Sequence, residues 1–159
     1  MRSDLLTILD SYWAEHLQCP AHYIRSNQTI VLTDSTRHGG TVWLIGKTCL
    51  IAAAPHLAQV LKGSIGSRAA MQAFEPSRLR SATAHLGINV SSPESVLALG
   101  LSTDRIAWLD PNQLHDLNGF DGIGLVSLSL RQHAERKTAE ACGFELYASV
   151  IDLGGRVRP

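Results

Sequence analysis

The chain has 159 residues, 14 basic and 14 acidic side chains, and 45% hydrophobic residues. That length suits one domain built on a single core. The balanced charge gives no reason to expect nucleic acid or an anionic membrane as partner. No apolar run reaches the roughly 20 residues of a membrane span, and the start, Met-Arg-Ser-Asp-Leu-Leu, lacks a signal-peptide core, so a cytoplasmic protein is expected.

In chain order, Ser3 is placed to cap a first helix. Leu5, Leu6, Leu9, Tyr12, Trp13 and Leu17 then recur at helical spacing, and Pro20 marks the exit. Thr29 to Thr33 is short and β-branched, a strand pattern. Asp34 to Gly40 is turn chemistry. Thr41 to Ile45 and Thr48 to Ala53 predict two strands joined tightly at Gly46-Lys47. Pro55 opens a helix that carries Leu57, Val60 and Leu61 on one side. Lys62 to Ala73, with Gly63, Gly66 and several serines, predicts a loop. Pro76 and Ser77 open a further helix, with Leu79, Ala82 and Leu86 inward and Gly87 at its end.

Ile88 to Ser92 reads as a short extended stretch, and Ser95 to Leu101 fits either helix or strand. Asp104 to Leu109 predicts a strand stopped by Asp110-Pro111, with one helical turn at Asn112 to Leu117. Gly119 to Gly124 predicts a glycine loop, and Leu125 to Leu130 alternates as a strand does. His133 to Cys142 predicts a last helix, stopped by Gly143, and Phe144 to Leu153 a last strand. Residues 1–153 then form one domain with a tail over 154–159. The order predicts an α+β fold, a mostly antiparallel mixed sheet flanked by helices. The strands at 125–130 and 144–153 fit either parallel neighbours or a splayed pair.

Cys19, Cys49 and Cys142 are odd in number and widely spaced, which predicts free thiols. The seven histidines include no pair at i, i+4 and no Cys/His zinc spacing, so no metal is expected. His16 lies one turn beyond Tyr12 and Trp13, as a packed histidine or a site histidine. His22 follows Cys19 by three residues, close enough for a thiolate pair, against a packed thiol with an exposed imidazole. Asp34, His38 and Asp110 stand in turns beside strands, where acid–base groups and turn caps both occur. Trp13, Trp43 and Trp108 are candidate core residues or pocket walls, with Tyr12 beside them. Ser127 and Ser129 share one strand face, which fits a pocket lining or a wet surface. Arg131, Arg136 and Lys137 form a small basic cluster.

Two segments resemble the GNAT acyltransferase superfamily. Tyr12-Trp-Ala-Glu-His-Leu-Gln-Cys19-Pro20, the hairpin over 42–54, Pro55-His-Leu57 and Ala107-Trp-Leu-Asp110 are similar to the N-terminal region of its two-part members, so residues 1–117 match that region. Residues 118–153, above all Gly124-Leu-Val126 and the run from Lys137 to Leu153, resemble the closing strand, helix and strand of the catalytic domain. In that family an Arg/Gln-x-x-Gly-x-Gly/Ala loop at a helix start grips the pyrophosphate of acetyl-CoA. The stretch here is Gly119-Phe-Asp-Gly122-Ile-Gly124, which lacks the first residue and runs into a strand pattern. The family's Asn-x-x-Ser pattern reads Gln132 and Glu135 here.

The resemblance with these departures implies a shortened, degenerate relative without a cofactor. It would bind a small molecule or a protein partner, either a second copy or a different chain that completes the missing core. Tyr12, Trp43, Trp108, Ser127 and Ser129 are the candidate ligand-binding residues. The alternatives are an enzyme of changed acid–base chemistry using His16, His22, His38 or Asp110, and an active N-acetyltransferase.

Overall fold

A computed structural model describes residues 1–100 and 105–154. Seven strands form one sheet in the order β1-β3-β2-β7-β4-β6-β5. They are β1 (Thr29–Thr33), β2 (Gly40–Ile45), β3 (Thr48–Ala53), β4 (Glu94–Gly100), β5 (Ile106–Trp108), β6 (Ile123–Ser129) and β7 (Glu145–Leu153). The four inner pairings are antiparallel, and only the edge strands β1 and β5 pair in parallel. The fold is α+β with helices on both sheet faces, as expected from the order of elements. β6 and β7 run parallel but are not neighbours: β4 lies between them and pairs with both. Ser95 to Leu101, open to two readings in sequence, is extended as far as Gly100. β4 is buried at Val96, Leu97 and Ala98, so cover on both faces hides its period. Leu101, the start of the expected strand at Asp104 and the tail beyond Gly154 lie outside the described residues.

Among the described residues, helix α1 (Ser3–His16) is the one α-helix on one face of the sheet, joined there by the 3₁₀ turn Ala21–Tyr23 and the buried Ile24. Leu5, Leu9, Trp13 and Leu17 pack on Trp43, Leu50, Val96, Leu125 and Val150. Ser3 is not its cap: Arg2 takes that position without a side-chain bond, and Ser3 is the first helical residue. The helix ends in a Schellman turn, with the N–H of Cys19 on the Ala14 carbonyl and that of Gln18 on Glu15, and Gln18 at φ 54°.

The opposite face carries α2 (Pro55–Ser64), α3 (Ala70–Ala73), α4 (Pro76–Thr83) and α5 (His133–Ala141). The expected loop from Lys62 to Ala73 is therefore corrected. Its first turn continues α2, and Ala70 and Ala73 bury against the core as a short helix. Small apolar residues three apart pack well enough to override the weak turn signal around Gly63 and Gly66. α4 passes through a 3₁₀ turn to Gly87, which adopts φ 66°. α5 closes over β4 and β6 through Ala139. Its end is a second Schellman turn, with Phe144 N–H on Ala139 and Gly143 at φ 95°. The glycine loop is shorter than expected, because β6 already begins at Ile123.

Candidate ligand-binding site

The site grows from Trp13. Its indole is 2% exposed and meets Trp43 of β2 at 4.2 Å between ring centroids. Trp108 of β5 stands edge-on at 6.1 Å, and His16 at 5.2 Å. Tyr12 meets Trp13 at 5.2 Å and lies parallel to His16 at 6.2 Å. Helical spacing puts Tyr12, Trp13 and His16 on neighbouring turns of α1. Strand alternation turns Trp43 and Trp108 to the same side of the sheet. Trp108 is 49% exposed and His16 is exposed as well, Tyr12 is half-buried, and Trp13 and Trp43 are buried.

One polar atom of the assembly is left over. Trp43 Nε1 donates to Thr41 Oγ1 at 3.3 Å, whereas the buried Trp13 Nε1 has no hydrogen-bond partner. A buried donor without an acceptor costs on the order of 1–3 kcal/mol, so this position favours any acceptor that reaches it.

The sheet beside the rings is polar. Val150 pairs with both Trp43 and Glu94, and Val96 pairs with Ser127. Alternation with Val96 and Leu125 sends Glu94 and Ser127 to the α1 side, where Ser127 Oγ donates to Glu94 Oε2 at 2.7 Å. Ser129 pairs with Glu94 across the ladder, and its N–H donates to Gln132 Oε1 at 2.9 Å. The arrangement gathers aromatic rings on the α1 side of the sheet, with a buried unpartnered donor among them and a carboxylate–hydroxyl pair on the same sheet face.

Of the expected ligand residues, Tyr12, Trp43 and Trp108 meet around Trp13, and Ser127 and Ser129 share the adjoining sheet face. Of the expected acid–base residues only His16 joins them. His22 is edge-on to Tyr23 at 4.9 Å, beyond the end of α1. Among the described residues no hydrogen bond joins Cys19 to it, and burial raises the Cys19 thiol pKa, which disfavours a thiolate. His38 lines a separate hollow of about 210 Å³ with Arg37, Thr41 and Asp152. Asp110 Oδ1 accepts from the Asn112 N–H at 2.9 Å and caps a 3₁₀ turn. Asp34 likewise holds its own turn, accepting from the Thr36 hydroxyl and N–H and pairing with Arg37 at 3.0 Å. The Thr36 bonds come first in holding its carboxyl below the usual range. No hydrogen bond, ion pair or ring contact joins His16, His22, His38 and Asp110 to one another.

A structural clamp beside the site left no sequence signal, because its members lie far apart in the chain. Asp10 of α1 receives both Arg25 Nε at 2.8 Å and Nη2 at 2.9 Å, and Tyr147 Oη donates to it at 3.0 Å. A bulge in β7 sets Tyr147 and Ala148 both against α1, so the phenol reaches the helix. Burial comes first in pushing the Tyr147 pKa upward, followed by the Asp10 charge. The clamp fixes the α1 turn that precedes Tyr12 and Trp13.

The glycine stretch bears on cofactor binding. Gly119 and Gly122 have φ 77° and 139°, and the Ile123 N–H donates to the Arg105 carbonyl at 2.7 Å. Gly124 pairs with Leu99 inside the β4–β6 ladder. The stretch feeds a strand, so no helix N-terminus follows it and amides within it serve the sheet. Among the described residues no group of three or more His, Cys, Asp or Glu could hold a metal, and no helix is long and apolar enough to cross a membrane. No family model, curated protein or solved structure matches the chain.

Proposed function

We propose that this chain is a small-molecule-binding protein on a shortened, degenerate acyltransferase-like scaffold, without acetyl-CoA chemistry. One observation carries the reading: four rings from α1, β2 and β5 gather around the buried Trp13 indole, whose N–H has no acceptor, with Trp108 half open to solvent. Aromatic walls with a few placed polar groups are the usual make-up of a ligand site. A flat heteroaromatic ring bearing an acceptor fits both features, since it can stack on Trp108 and, where the rings part to admit it, accept a hydrogen bond from Trp13 Nε1. The strand that follows Gly122 supports the absence of a coenzyme A cradle.

Calorimetric titration with nicotinamide, a one-ring heteroaromatic amide, tests this. Saturable binding, weakened at least tenfold in Trp108→Ala, is expected. An absence of saturable binding, or binding unchanged in Trp108→Ala, sinks the reading.

A second reading, self-association along the β5 edge, is favoured by a three-residue edge strand that carries the half-exposed Trp108. Sedimentation equilibrium separates the two. A dimer that dissociates in Trp108→Ala supports association, and a lone monomer rules it out.

A further inference from the structure

On the other side of the sheet, a cleft of about 410 Å³ lies between the end of α2 and the length of α4. Its walls are Arg68, Arg78, Ser77 and Ser81, and its floor is Ile65 and Ala82. Ser77 and Ser81 are four apart on α4, as are Arg78 and Ala82, so one stripe of that helix supplies two hydroxyls, a guanidinium and a methyl group. Arg68 comes from the loop beyond α2. Its backbone is pinned twice, by its N–H on the Ile65 carbonyl at 3.0 Å and by Thr29 Oγ1 on its own carbonyl at 2.7 Å.

The charge in the cleft is unbalanced. Arg78 offers only Nε to Glu75, at 2.9 Å, and Glu75 does not line the cleft. The terminal nitrogens of Arg78 remain as donors. No carboxylate pairs with Arg68 among the described residues. At the end of α2, Leu61 O accepts from the Ile65 and Gly66 N–H groups and Val60 O from the Ser64 hydroxyl, so these two carbonyls are already occupied.

We propose that this cleft binds a soluble small-molecule phosphate monoester. The two guanidinium groups and the Ser77 and Ser81 hydroxyls take the phosphate oxygens, and the carbon portion rests on Ile65 and Ala82. Guanidinium forks match phosphate geometry in a way a single ammonium does not. The volume fits a metabolite-sized ligand, and the zero net charge of the chain gives no field for a polyanion or an anionic membrane. The site stands apart from the Trp13 assembly, so either can fail alone.

Amide chemical shifts and calorimetry with glycerol 3-phosphate provide the test, with glycerol, inorganic phosphate and phosphatidic acid vesicles as the other arms. Saturable shifts at Arg68, Ser77 and Ser81 are expected. Affinity should fall at least tenfold in Arg68→Gln and in Arg78→Gln, and fall with added salt. Both side chains are on the surface, so these variants keep the fold. Glycerol binding as well as glycerol 3-phosphate, affinity unchanged in Arg68→Gln, inorganic phosphate binding as tightly as the ester, or vesicles competing out the soluble ester would each overturn the proposal.

Discussion

The two faces of the sheet are covered unequally. Four helices lie on one face, and there Cys49, Ile51 and Ala53 of β3 and the Leu57, Leu61 and Leu79 side chains are fully enclosed. One α-helix of 14 residues, followed by a three-residue 3₁₀ turn, lies on the other, beneath which seven strands still have to be covered. At about 1.5 Å per residue such a helix spans roughly 20 Å, while seven strands at about 4.8 Å spacing extend roughly 30 Å. The shortfall falls at the β4–β6–β5 corner, where Glu94, Ser127 and Trp108 appear. The proposed binding surface is the place where apolar cover runs out, and polar and aromatic residues collect there.

The comparison can be broken by truncation on each side. Trp13→Ala should lower stability by about 3–5 kcal/mol and abolish nicotinamide binding, because it removes the hub of the cluster. Leu57→Ala, on the fully covered face, should cost about 2–5 kcal/mol in urea unfolding and leave binding intact in the folded fraction. Equal loss of binding in both would erase the distinction between the faces.

Smaller changes sharpen it. Tyr147→Phe removes one hydrogen bond to the Asp10 carboxylate and should cost about 1.5–3 kcal/mol. It should also loosen α1 specifically, seen as faster hydrogen exchange in that helix than in α2. On the covered face, burial holds the Cys49 thiol up at about 12 against an ordinary value of 9.0. The unfolded thiol ionises first, so stability is fully present below pH 9 and falls as pH rises from there toward 12. Tyr147 titrates in the same sense from above its ordinary value of 10.0. Unfolding midpoints measured from pH 7 to 11 should decline only beyond pH 9, and less steeply in Cys49→Ala. The smallest expected effect is a gain of about 0.5–1 kcal/mol in Gln18→Gly, since Gln18 holds a left-handed conformation at the end of α1 that Gly143 holds freely at the end of α5. A loss of stability there would contradict the Schellman geometry.

Much of this fold was legible from local chemistry. The β2–β3 hairpin follows from alternation around Gly46, which sits at φ 58°, and the α5–β7 junction from Gly143 and Phe144. The insertion of β4 between β6 and β7 was not legible, because strand order is set by non-local packing and β4 carries no period of its own. The meeting of Tyr12, Trp43 and Trp108 is partly readable, as each tryptophan marks a core or wall position. The hub role of Trp13 depends on register across three elements and left no local mark. The turn-capping alternative for Asp34 and Asp110 matches the hydrogen bonds each of them makes. The clamp of Asp10, Arg25 and Tyr147 joins residues 137 apart in sequence, beyond the reach of any spacing rule.

The most direct measurement uses the three tryptophans as reporters. Their indole N–H signals and the amides from Gly119 to Gly124 can be followed together by NMR while nicotinamide and acetyl-CoA are titrated separately. The expected result is saturable movement of the Trp13 and Trp108 indoles with nicotinamide, and no response of the glycine stretch to acetyl-CoA. Saturable shifts at Gly122 with acetyl-CoA, with the indoles unmoved by nicotinamide, would contradict the placement of the ligand site.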